Sequence, residues 1–170
     1  MTQALKSATT LGALVVLLVL AAIWGWSSLT EPLPKLAAAP PCTETAVKAG
    51  NTVTTDEVTV SVLNAGKRAG LAGRTMDELL AQGFHEGTSA NAPSGTDVGY
   101  AQIWTDDIES PAVALLKSHL QRSKVVDGVD LTELGTVGVV LVVGDRFDAV
   151  GDGAQEVQAT TDTTICSPAS

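Results

Sequence analysis

A small α/β domain, built on a mixed β-sheet with two covering helices and preceded by one transmembrane helix, is the fold class this sequence predicts. Three features carry that prediction. Residues 8–29 form an uncharged, largely apolar stretch. Between residues 57 and 148, segments of strand length alternate with two segments whose apolar residues recur every three or four positions. One strand segment, Val139–Val143, is apolar without interruption, the pattern of a strand buried on both faces of its sheet. A chain of 170 residues has room for one ordinary core of about 100 to 200 residues, and not for a second catalytic domain.

The apolar segment comes first. About 20 helical residues at 1.5 Å rise cross a hydrocarbon layer of roughly 30 Å, so residues 8–29 have the length of a membrane span. Trp24 and Trp26 stand at its far end, where amphipathic rings prefer the headgroup level, while Lys6 and the amino terminus mark residues 1–7 as the cytoplasmic side. A cleaved secretory signal is the alternative, but it has a shorter apolar stretch and a small-residue cleavage site, which Gly25-Trp26-Ser27-Ser28 lacks. Lipid modification at Cys42 would need small residues where Pro40 and Pro41 stand. Residues 30–56, which begin with Pro32, Pro34, Pro40 and Pro41, read as a semi-rigid Pro/Ala-rich stalk and linker.

The domain follows over residues 57–148. Val58-Thr59-Val60-Ser61-Val62-Leu63 alternates apolar and hydroxyl residues, the period of a strand with one face on a core, and Asn64-Ala65-Gly66 is a turn signal. From Gly70 the residues Leu71, Ala72, Met76, Leu79 and Leu80 trace one face of a helix that Gly83 terminates. Residues 84–88 form a short strand, 89–97 a polar loop, and 98–104 a third strand with its large residues on one face. Ser110 and Pro111 provide a helix cap and first position, and Val113, Leu116 and Leu120 continue an apolar stripe to about Arg122. Residues 124–126 form a short edge strand. Val139–Val143 belongs at the sheet's centre, which implies helices covering it. Residues 149–170, rich in Gly, Thr, Asp and Ser, read as an irregular tail.

Charge narrows the functional classes. Ten basic residues face 19 acidic ones, and beyond residue 29 only Lys6 has been left behind, so the exported part carries about −10. Nucleic-acid partners call for clustered Lys and Arg, and are excluded as a first choice. Such a surface also repels anionic lipid headgroups, so the domain is expected to stand off the membrane. Two cysteines and two histidines, none at zinc-finger spacing, give no metal site. Outside the cytoplasm thiols oxidise, and Cys42 and Cys166 are the pair available for a disulfide; two free thiols or an intermolecular bond are the alternatives.

Val60-Ser61-Val62-Leu63-Asn64-Ala65-Gly66, then Ala69-Gly70-Leu71-Ala72, then Gly83-Phe84, the strand into Trp104, and Val140-Leu141-Val142-Val143-Gly144-Asp145-Arg146-Phe147 occur in an order that resembles the LytR C-terminal domain family. The resemblance covers residues 57–148. It implies a non-enzymatic envelope protein supporting barrier integrity, with no cofactor, whose partners are a cell-wall polymer, a lipid-linked precursor or an envelope protein. An accessory subunit of cell-wall ligases and an envelope glycan enzyme are the rival readings.

The candidate site is the turn after the first strand. Gly66, Gly70 and Gly73 are spaced G-x3-G-x2-G, not as a dinucleotide fingerprint. The turn nevertheless places backbone N–H groups at a helix N-terminus beside Lys67, Arg68 and Arg74, where an anion could sit. Asn64 is expected to hold the turn by local bonding. Asp106, Asp107 and Glu109 could serve acid/base chemistry on a glycan, although acidic residues before a helix also complement its dipole. Asp145, Asp148 and Asp152 miss the spacing of a calcium loop. His85 and His119 stand apart from any nucleophile motif.

Overall fold

The computed structural model describes residues 15–21 and 42–168. The chain divides into two units, residues 1–37 and 38–170. Of the first unit, residues 15–21 are helical with exposed apolar side chains. The remainder of the expected span at 8–29 lies outside the described residues, as does the expected stalk up to residue 41. Among the described residues no helix is long and apolar enough to cross a membrane.

The second unit begins with strands where a linker was expected. Strand β1 (Cys42–Val47) and strand β2 (Thr52–Thr54) lead through a 3-10 turn, Thr55–Glu57, into β3 (Thr59–Asn64). Helix α1 (Leu71–Ala81), β4 (His85–Asn91), β5 (Ala101–Trp104), helix α2 (Pro111–Ser118), β6 (Ser123–Val126) and β7 (Val139–Val143) follow. The chain ends with β8 (Glu156–Gln158) and β9 (Thr163–Pro168). The C-terminal segment is therefore not an irregular tail. β9 pairs antiparallel with β1, and β8 with β2. These ribbons escape a hydropathy reading because Val47, Val53 and Ile165 are their only buried residues, while Thr, Glu and Gln face water.

The central sheet has five strands in the order β4-β3-β7-β5-β6. β3 runs parallel to both β4 and β7, β5 runs parallel to β6, and β5 meets β7 antiparallel, which makes the sheet mixed. β7 lies at its centre with all five residues buried, as its composition predicts. β3 departs from its expected half-buried pattern, since all six residues are buried. Alternation misleads here because its polar positions are small hydroxyls that can be bonded internally. The Ser61 hydroxyl donates to Val137 O at 2.7 Å and accepts from Thr88 N and Val137 N, each at 3.0 Å. That triple bond sits at the bulge where β3 and β4 slip register, and a Cβ on Gly87 would lie 2.6 Å from the Ser61 oxygen.

Two helices cover the sheet as expected, and both pack on one face. Leu71, Met76 and Leu79 of α1 and Val113, Leu115 and Leu116 of α2 share a core with Val60, Val62, Ile103 and Leu141. The opposite face buries Leu63, Trp104, Val140 and Val142 under Val98, Val129, Leu131 and Leu134 from connecting segments. The large residues of β5 thus divide, Ile103 to one face and Trp104 to the other. Helix α2 ends at Ser118, short of the expected Arg122, and His119 is 1% exposed. Its ring nitrogens lie 3.0 Å from Gly151 O and Ala154 O, anchoring the chain between β7 and β8.

Cys42 and Cys166 form the disulfide, with Cα atoms 5.4 Å apart across the β1–β9 ribbon and 124 residues apart in sequence. Closing a loop of that length is worth about 4 to 5 kcal/mol in the chain-entropy account. Denaturant unfolding of the reduced, alkylated protein should show most of that loss. Ser61→Ala should cost about 2 to 3 kcal/mol in the same assay, because it strands two buried N–H groups and a carbonyl; a change below about 0.5 kcal/mol would exclude the hydroxyl as the element that holds the bulge.

Candidate functional site

The turn between β3 and α1 has the conformation its sequence suggests. Asn64 Oδ1 accepts from Gly66 N and Asn64 Nδ2 donates to Arg68 O, both at 2.9 Å, so Asn64 holds the turn from its own side chain. Gly70 caps α1 at φ 71°, a left-handed conformation that suits glycine, and its carbonyl accepts from Arg74 N.

The turn is closed by the protein itself. Asp145, two residues beyond β7, places Oδ1 2.6 Å from Lys67 N. A Cβ on Gly66 would come 2.5 Å from the same oxygen, so the approach of this carboxylate requires glycine at 66. The Arg68 guanidinium donates to Phe147 O. A carboxylate of the chain therefore bonds the turn just before the helix, joining the ends of two parallel strands that are adjacent in the sheet. Among the six residues proposed from sequence, Gly66, Lys67 and Arg68 meet Asp145 and Phe147, Asn64 bonds within the turn, Gly70 serves as the helix cap, and Arg74 lies on the exposed face of α1 with a long 3.5 Å bond to Ala69 O.

The acidic segment before α2 is also committed internally. Asp107 Oδ1 accepts from Glu109 N at 3.0 Å and Oδ2 from the Thr163 hydroxyl at 2.6 Å, tying β9 to the entrance of α2. Beside it, a cavity of about 410 Å³ lies among Glu44, Asp106, Asp107 and the disulfide, and includes Thr59 and Thr136, whose hydroxyls have no hydrogen-bond partner among the described residues. Among the described residues no group of three or more His, Cys, Asp or Glu is placed to hold a metal ion.

A second cationic feature lies at the ends of β5, β6 and β7. Tyr100 immediately precedes β5 and Arg122 immediately precedes β6; because these strands are parallel and Ala101 pairs with Ser123, the two residues emerge side by side. β7 runs antiparallel to β5, so its exit brings Arg146 back to the same place, with Gly144 N bonded to Tyr100 O at 2.8 Å and Arg146 N to Gly99 O at 3.0 Å. The guanidinium carbons of Arg122 and Arg146 stand 5.0 and 4.6 Å from the centre of the Tyr100 ring, and Arg122 donates to the Tyr100 hydroxyl at 2.9 Å. These residues, with Lys124, line a groove of about 360 Å³ that contains no Asp or Glu. No spacing signals this cluster, since its members are 22 to 46 residues apart; only the strand register assembles them.

The chain matches the family model described as LytR cell envelope-related transcriptional attenuator over residues 57–147. A comparison with curated proteins gives no significant match. Among solved structures, the chain is similar to the soluble domain of a conserved hypothetical secreted protein from Mycobacterium marinum, at 25% identity and a TM-score of 0.48, over 63% of this chain and 79% of that one.

Asp145→Ala should lower stability by about 1 to 2 kcal/mol by removing the acceptor of Lys67 N. Urea unfolding measures this. Asp145→Asn, which retains an acceptor oxygen, should recover about half of the loss or more, whereas equal losses would show that the turn depends on charge alone.

Proposed function

We propose a function from one premise: the chain belongs to the LytR cell envelope-related transcriptional attenuator family. It is a non-enzymatic binding or scaffold module of the cell envelope, held by an N-terminal anchor at residues 8–29 with residues 42–168 outside the cytoplasm. It contributes to barrier integrity through contacts to wall polymer, a lipid-linked precursor or an envelope protein. The observation that carries the extracytoplasmic reading is the Cys42–Cys166 bond, because a structural disulfide closing a loop of this size persists in oxidising compartments and is rare in the cytosol.

The other elements support the same reading. The uncharged segment 8–29 supplies an anchor of the required length, and Lys6 orients it. A net charge of −9 speaks against nucleic acid as the partner, although the family description refers to transcription. The Asp106–Glu109 segment, which could have suggested a glycan hydrolase, has both oxygens of Asp107 bonded within the protein.

Deleting the chain in its native cells should increase uptake of a membrane-impermeant dye, and re-expression of the full chain should restore the barrier. A form lacking residues 1–29, exported by an unrelated cleaved signal, should restore it less well. Normal dye exclusion in the deletion strain would contradict the reading, and full restoration by the unanchored form would remove the anchor from it.

A further inference from the structure

We propose that the groove formed by Tyr100, Arg122, Lys124 and Arg146 binds a phosphate group. Three cations face it and no carboxylate lines it, in a protein whose acidic residues outnumber basic ones 19 to 10. Local charge of this sign, against the sign of the whole, is costly to concentrate unless something of opposite charge is received there. The turn at residues 64–70 provides the internal comparison: there Lys67 N and Arg68 are bonded by Asp145 and Phe147, whereas no carboxylate is bonded to Arg122 or Arg146 among the described residues.

The guanidiniums are also positioned in advance. Both stand within 5.0 Å of the centre of one tyrosine ring, and Arg122 is bonded to that ring's hydroxyl, so much of the rotamer freedom of two long side chains is restricted before a ligand arrives. A guanidinium has five N–H donors in a planar fork. Arg122 uses one on Tyr100, and the rest remain for an anion. A phosphate monoester carries about −1.5 to −2 and has three strong acceptor oxygens, which suits two forks and an ammonium better than a single carboxylate does.

The phosphate can belong to a lipid headgroup or to a soluble phosphorylated compound. The chemistry stands without the envelope reading, which bears only on which of the two the groove meets. Because Tyr100, Arg122 and Arg146 emerge from three neighbouring strand ends, the site is carried by the sheet rather than by a long loop.

The test is calorimetric titration of the full chain in non-ionic detergent with glycerol 3-phosphate and, separately, with dihexanoyl phosphatidic acid below its micellar concentration. Binding of either probe is expected, weakened by added salt, and weakened about tenfold or more in Arg122→Gln/Arg146→Gln. Lys67→Gln/Arg74→Gln should bind as the unchanged protein does. A preference for the first probe assigns a soluble source, and for the second a lipid source. Should the double arginine variant lose its cooperative unfolding transition, Lys124→Gln, which removes a charge without touching the ring, should still weaken binding about threefold. No heat with either probe, equal affinity in the arginine or Lys124 variants, or an equal loss in Lys67→Gln/Arg74→Gln would overturn the proposal. Normal dye exclusion in the deletion strain would leave this result standing and contradict only the envelope reading.

Discussion

A parallel pair of strands buried on both faces governs this structure. β3 and β7 lie side by side with every residue inside, so each polar atom they carry must find a partner within the protein. Apolar β7 meets that condition by having no polar side chains. β3 meets it at Ser61, whose hydroxyl takes three backbone partners, and at Asn64, whose amide closes the following turn, and fails it at its first residue, where the Thr59 hydroxyl has no partner among the described residues. The condition also determines the remaining layers: two helices with the β1–β9 and β2–β8 ribbons on one side, and the segments around Val98 and residues 129–134 on the other.

The same pair determines where chemistry can occur. Parallel strands deliver their exits to one edge, so the turn after β3 and the turn after β7 become neighbours although they are almost 80 residues apart in the chain. There a carboxylate of one turn bonds a backbone N–H of the other, with Asp145 lying against Lys67 N and residue 66 restricted to glycine. One step along the sheet, β5 and β6 contribute residues at the edge reached by the exit of β7, and there the charges have the same sign. Two neighbouring strand-end clusters therefore differ in kind: one contains its own anion, and the other is built from cations on an aromatic ring.

Much of the fold is legible in the sequence wherever the core is continuous. The uninterrupted apolar run of β7, the three-and-four spacing of α1, the Ser110-Pro111 start of α2 and the turn at Asn64 correspond to the structure. What is not legible involves partners distant in the chain. β8 and β9 are mostly Thr, Gln, Ser and Glu, and become strands because β1 and β2 return to pair with them. β3 reads as half-buried because the bonding of Ser61 depends on Thr88 and Val137. Among the described residues only one face carries α-helices, since a sheet of five short strands can be closed on the other side by Trp104, a 3-10 turn at Thr132–Leu134 and a few aliphatic residues. The candidate turn is legible as geometry, whereas the carboxylate that bonds Lys67 N comes from 78 residues away and is not. The Tyr100 cluster required the register of three strands.

The distinction between these two clusters is tested most directly by recording amide chemical shifts of the isotopically labelled full chain in detergent during addition of inorganic phosphate. The account predicts that shifts concentrate at residues 99–102, 122–124 and 144–146, with residues 64–70 changing little. Shifts centred on residues 64–70, with the Tyr100 cluster unmoved, would contradict it.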